Sequence, residues 1–305
     1  MHYESAKAAC VWVSQLAADW PVQFVSPILS VMTAAMNLQV PIGKVLRFSG
    51  CSRGYAENNG LIDALQGKYQ FPKRTGKQGV TYTKLTKLAT HSDVDRCNTI
   101  VNDLVFEQFA DFNREMVGRL AKVIGELHDN VASHASGAGF SCAQVYCDSE
   151  SRRIEFAIAD IGCGMLRNVQ RIRADITDHA QAIQWCLQRR HTTAHTPTND
   201  WIQRLPEDVI VSPYPDNLAT RSNEDHHVGE GLWLRCELVR TLHGKLWVLS
   251  GNGEYLLENG QERTSVSPLT WSGVAIEVEL IIPNGNLAAT EQQAKLEELA
   301  KRIGL

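Results

Sequence analysis

The chain has no CxxC pair, no GxxxxGK[ST] phosphate loop and no GxGxxG turn after a strand. These gaps exclude a zinc site of regular cysteine spacing, a P-loop and a Rossmann dinucleotide site. No apolar run nears the roughly 20 residues of a bilayer span, so no membrane role is expected. No N-terminal stretch joins a basic start to an apolar run and a small-residue cleavage site, so no secretory leader is expected. The eight cysteines are scattered, mostly in apolar runs, and read as reduced, buried thiols of a cytoplasmic protein. Positive charge is not in excess: the net charge of −4 argues against a nucleic-acid backbone binder. Proline is scarce, and four of the 10 crowd into residues 197–215, inside a polar stretch too long for a simple connection. There is no internal repeat and no low-complexity segment.

What is present is enough apolar surface for a core. Hydrophobic residues make up 44% of 305, which suits one large or two ordinary domains. Residues 4–20 and 28–38 carry helical spacing, with short β-rich runs at 22–24 and 45–48 and a Gly/Asn-rich turn near 54–60. Leu61, Ile62, Ala64 and Leu65 return to helical spacing. The basic stretch with Lys73, Arg74 and Lys77 reads as a solvated loop. This alternation predicts a small α/β domain over residues 1–92.

From residue 93 to 135 the pattern is helical, in one piece or two. Its buried stripe includes Ile100, Leu104, Val117, Leu120, Ile124, Leu127 and Val131. Glu126 and Asn130 lie off that stripe, four residues apart, and so share a face on a helix. A hairpin is expected from 142–147 and 154–161, running into Asp160-Ile161-Gly162-Cys163-Gly164-Met165. Residues 178–190 are helical again. Gly229-Glu230-Gly231-Leu232 opens another helix, closed by His243-Gly244. Strands are expected at 246–249 and 274–282, turns at 251–260, and a charged amphipathic helix at 291–303.

Each of these segments has a plain reading on its own. Asp160 can cap a turn, the glycines can form tight turns, and His128 and His134 can pack or cap. Together, in this order, Glu126-x-x-x-Asn130 with His134, Asp160 to Met165, Gly229 to Lys245, and Ser272-Gly273-Val274 resemble the GHKL superfamily of ATP-binding domains. The resemblance covers residues 100 to 285. It implies a two-layer α/β sandwich over residues 93–305, with a mixed, mostly antiparallel sheet, helices on one face and an ATP lid over 166–228. It implies ATP and Mg²⁺ as cofactors, Asp160 accepting from the adenine amino group, and Gly162, Gly164, Met165, Gly229, Glu230, Gly231 and Leu232 around the nucleotide. Asn130 is the implied magnesium ligand, a role that suits an ion binding few protein groups and several waters. The implied general base is Glu126, which points toward hydrolysis or serine/threonine phosphorylation and away from a plain histidine kinase. General-base help is worth on the order of 10²–10⁴-fold. Arg189, Arg190, His191, Arg204 and Arg221 are the candidates for a γ-phosphate contact. One departure is Trp233, which stands where the family has a later glycine of its third box.

Residues 22–27 and 55–65 resemble STAS-like domains, which implies a protein partner met through the N-terminal domain. A second copy of the chain is another candidate partner, and nucleic acid is not expected. The expected function is a regulatory protein that hydrolyses Mg-ATP slowly as a switch. The alternatives are an anti-sigma-type serine/threonine kinase and a nucleotide-binding module without catalysis.

Overall fold

The computed structural model describes residues 26–44, 46, 48, 50–69, 81–110, 114, 117–118, 121, 124–125, 127–129, 138–188, 231–283, 294–295 and 298. The fold is mixed α/β, built among the described residues on an antiparallel sheet of five strands: β1 (Thr86–Leu88), β2 (Gly139–Cys147), β3 (Ser151–Asp160), β4 (Lys245–Glu258) and β5 (Gln261–Pro283). Their order across the sheet is β1-β2-β3-β5-β4. Side chains alternate across a strand, so β2, β3, β4 and β5 each feed two cores. Ala143, Val145, Ile154, Phe156, Ile158, Val248 and Ile276 enter one core. Phe140, Cys142, Ala157, Ala159, Leu249, Trp271 and Ala275 enter the other.

The first core is roofed by α4 (His91–Gln108), a helical run within 114–129, α5 (Gly164–Val169), α6 (His179–Cys186) and α7 (Gly231–Thr241). Helix α4 begins on a capping box. Thr90 Oγ1 accepts the Asp93 N–H while the Asp93 carboxylate accepts the Thr90 N–H, so two donors that the helix start would leave bare are satisfied. Its apolar stripe of Val94, Cys97, Val101, Leu104 and Val105 steps by three and four and is wholly buried. Helix α7 stops at His243, which takes positive φ, and the Gly244 N–H returns to the Val239 carbonyl.

The second face is also covered, which goes beyond the expected helices on one face. α1 (Pro27–Gln39) lies against β2, β3 and β5, and α2 (Gly50–Asn58) and α3 (Leu61–Leu65) add Ala56, Leu61 and Ala64 to the same core. Residues 27–65 and β1 therefore share the sheet and its core with the rest of the described chain. Helix α1 follows from local rules: Ser26 caps it through its hydroxyl and Pro27 occupies the first turn, where the missing N–H costs nothing.

Three expectations change. Leu46 and Phe48, expected in a strand, have no regular structure and pack beneath the second core, after a 3₁₀ turn at Ile42–Lys44. The expected turn at 54–60 is mostly helix α2, with the turn confined to Asn59 and Gly60. The expected turns at 251–260 are strand: β4 and β5 form a long hairpin whose tip is Asn259-Gly260. Both tip residues have positive φ, 52° and 73°, the conformation that matches a two-residue turn to the twist of its strands. The expected elements at 4–20 and 22–24 lie outside the described residues. Of the expected C-terminal helix, residues 294, 295 and 298 are described and helical. Among the described residues no helix is long and apolar enough to cross a membrane.

Candidate functional site

The site is built at the end of β3. Its last buried residues alternate Ala157, Ile158 and Ala159 between the two cores and then deliver Asp160, a carboxylate only 5 % exposed. Oδ1 accepts the Gly162 N–H at 2.7 Å, and Oδ2 accepts the Val274 N–H from β5 at 3.3 Å. Burial raises the Asp160 carboxyl from its ordinary 3.8 to about 6, against the pull of those two N–H groups. A carboxylate has about four acceptor positions, and among the described residues two of them are filled, by these N–H groups. No Lys or Arg among the described residues forms an ion pair with it.

The surroundings hold this carboxylate in one pose. Trp271 donates its indole N–H to the Asp160 carbonyl at 2.8 Å, tying β5 to the strand end. Gly273 lies so close that a Cβ there would sit 2.3 Å from Oδ1 and 2.2 Å from the carbonyl oxygen, so only glycine fits. Gly164 has φ +72°, and a Cβ there would press on the Ser250 hydroxyl at 3.0 Å. That hydroxyl accepts the Met165 N–H at 2.9 Å and anchors the start of α5 to β4. Cys163 Sγ stands 3.5 Å from Asn168 Oδ1. From the opposite layer, Gln39 at the end of α1 donates to Ser272 Oγ at 3.4 Å.

Asp160, Gly162, Gly164 and Met165 follow one another at the end of β3, and Val274 and Gly273 of β5 lie against Asp160. Gly231 is the first residue of α7, and Leu232 and Trp233 are half-buried against the first core. Glu126, Asn130, His134, Gly229, Glu230, the expected lid beyond residue 188 and its five γ-phosphate candidates lie outside the described residues, as do Lys73, Arg74 and Lys77. Trp271, Ser250 and Gln39 were not singled out from sequence. Trp271 offered one signal, an indole N–H in a buried strand, which needs an acceptor.

A second polar cluster lies under the helical run within 114–129. His128 Nδ1 is 2.6 Å from Asn98 Oδ1, and Nε2 is 2.8 Å from Ser141 Oγ and 3.5 Å from Cys97 Sγ. The grouping of Cys, His and Asn has the composition of a thiol nucleophile site. Cys97 is 2 % exposed and its thiol is pushed up to about 12, chiefly by burial, so it is held protonated and inert. A different carboxylate, Glu155, is also raised to about 6, by burial first, with Arg153 opposing and Glu277 and Glu279 adding. It differs from Asp160 in having an ion pair, to Arg153 at 3.3 Å.

No group of three or more His, Cys, Asp or Glu residues among those described is placed to hold a metal ion. Comparison of the chain with protein-family models, with curated proteins and with solved structures finds no match.

Proposed function

We propose that this chain binds Mg-ATP in a GHKL-like two-layer site and hydrolyses it slowly as a regulatory switch. The observation that carries the reading is the Asp160 carboxylate: buried, fixed by two backbone donors and with two of about four acceptor positions unfilled among the described residues. An exocyclic amine such as that of adenine supplies such a donor, and a buried acceptor left bare would cost the fold. Gly162, Gly164 and Met165 border it, and the start of α7 at Gly231 and Leu232 offers N–H groups and a helix dipole suited to phosphate oxygens. Gly229 and Glu230 complete that loop in the proposal.

Glu126 serves as the general base that takes a proton from the attacking water, and Asn130 as a magnesium ligand. Magnesium, when bound, offsets charge on the phosphates. Residues 27–65, which touch the site through Gln39 and Ser272, would present its state to a protein partner.

Isothermal titration with ATP and a non-hydrolysable analogue, each with Mg²⁺, tests this on the wild type and on Asp160→Asn. The wild type is expected to bind both, and the variant to bind at least about tenfold more weakly, a loss of roughly 1.4 kcal/mol. Absence of binding by the wild type removes the reading. Label transfer from ATP to a STAS-like protein, without release of phosphate, would replace hydrolysis by the kinase alternative.

A further inference from the structure

Asp160 is held in place without being neutralised. Gly273 and Trp271 of β5 fix its backbone, and each carboxylate oxygen accepts one N–H in a buried setting. Among the described residues the elements around it bring no charge to it. β2 sets Gly139 opposite it, and β5 presents Trp271 to Val274. β4 adds the Ser250 hydroxyl behind Gly164 and Met165, and α1, which ends at Gln39 beside Ser272, carries no charged residue. The run after β3 contributes the Cys163 thiol, and α5 the exposed Arg167. Neither acts on the carboxyl: burial raises it, and the Gly162 and Val274 N–H groups oppose the rise. A carboxyl so placed changes form just below neutral pH, and its two forms recognise different groups. Ionised, it only accepts hydrogen bonds; protonated, it also donates one O–H. A ring amine finds an acceptor in the ionised form. A ring carbonyl in the same position is repelled by the ionised form and finds a donor in the protonated one.

We propose that Asp160 makes base selection at this site proton-linked: ionised, it takes an amino-purine and rejects an oxo-purine, and on protonation that preference narrows. This deepens the function proposed above and rests on it. Adenine and hypoxanthine nucleotides, which differ chiefly in an amine against a carbonyl at one ring carbon, are the pair that reads the selection.

The full chain is titrated calorimetrically with non-hydrolysable analogues of ATP and of inosine triphosphate, each with Mg²⁺, from about pH 7.5 to about pH 5. The ratio of the two affinities is expected to favour the adenine analogue at the upper end and to fall about tenfold toward the lower end, as a carboxyl of about 6 passes from ionised to protonated. Taking the ratio cancels what pH does to the triphosphate and to the rest of the protein. Titration at about pH 6 in two buffers of different ionisation enthalpy counts protons, and needs neither a variant nor stability in acid. There the adenine analogue is expected to release at least about half a proton more than the inosine analogue. Asp160→Asn, whose amide donates and accepts but does not titrate, is expected to keep its ratio within about twofold across the range. The proton-linked selection is overturned, with nucleotide binding left in place, by any of three results: a wild-type ratio that does not move with pH, equal proton release by the two analogues, or an Asp160→Asn ratio that moves as far as the wild type's. Binding of neither analogue at any pH removes the function proposed above, and the selection with it.

Discussion

Asp160 and His128 are both buried polar side chains, and they differ in how far the protein satisfies them. His128 has a partner at each ring nitrogen and sits between two helical elements and the sheet. Asp160, at the end of a strand, has two backbone donors for about four acceptor positions among the described residues. A saturated group holds elements in register. A half-saturated one carries a cost that is relieved when a ligand supplies the missing donor. Burial alone does not separate the two roles; the hydrogen-bond inventory does.

The strongest way to break this comparison is to crowd Asp160. Gly273→Val places carbon against the Asp160 backbone, where nothing flexible can yield. Overpacking of this kind costs about 1–3 kcal/mol or more, and chemical denaturation is expected to show a loss at the upper end. Binding of the ATP analogue is expected to vanish as well. A folded Gly273→Val variant that binds normally would mean that the Asp160 pose does not matter.

Next in size is His128→Leu, which strands the Ser141 hydroxyl and the Asn98 amide. Leaving a buried partner unsatisfied costs about 1–3 kcal/mol, so a denaturation midpoint clearly below wild type is expected. Stability equal to wild type would show that the cluster is mere filling.

The third test uses pH. The folded Asp160 carboxyl holds its proton up to about 6, above its ordinary 3.8. Folding is therefore penalised above pH 6, where the buried group must ionise, and the penalty is relieved as pH falls from 6 toward 4. The sign is opposite to that of a salt-bridged carboxylate. Relative to Asp160→Asn, the wild type is expected to gain on the order of 2 kcal/mol between pH 7 and pH 4. Using this difference cancels the parallel contribution of Glu155. No gain would mean that Asp160 is better solvated than its burial implies.

The smallest effect is expected from Ser250→Ala, which removes the acceptor of the Met165 N–H. A loss of about 1 kcal/mol with analogue binding weakened less than in Asp160→Asn would mark Ser250 as support for the loop. A larger binding loss than in Asp160→Asn would reverse that order.

Much of the scaffold was legible beforehand. Helix α1 announced itself by the helical spacing of residues 28–38, α4 by the apolar periodicity from residue 93, and the β2–β3 hairpin by its alternation around a polar turn; the caps at Ser26 and Thr90 emerged only with the structure. The Asp160–Met165 run was placed correctly because it continues that hairpin directly. The failures were of another kind. Strand β1 has three residues and too little pattern to be seen alone. The glycines at 251 and 253 read as turns, although long-range pairing with β5 keeps that stretch in the sheet.

The local order of residues thus decided where helices start and stop, which strands alternate and which loop follows β3, because caps, turns and periodicity act over a few neighbours. Only tertiary packing decided that both sheet faces are covered. It also decided that Trp271 and Gly273 lock Asp160 from another strand, and that His128 meets Asn98 and Ser141. Those contacts join residues 13 to 113 positions apart, and hydrogen-bond saturation is a property of the assembled neighbourhood, not of any short stretch of chain.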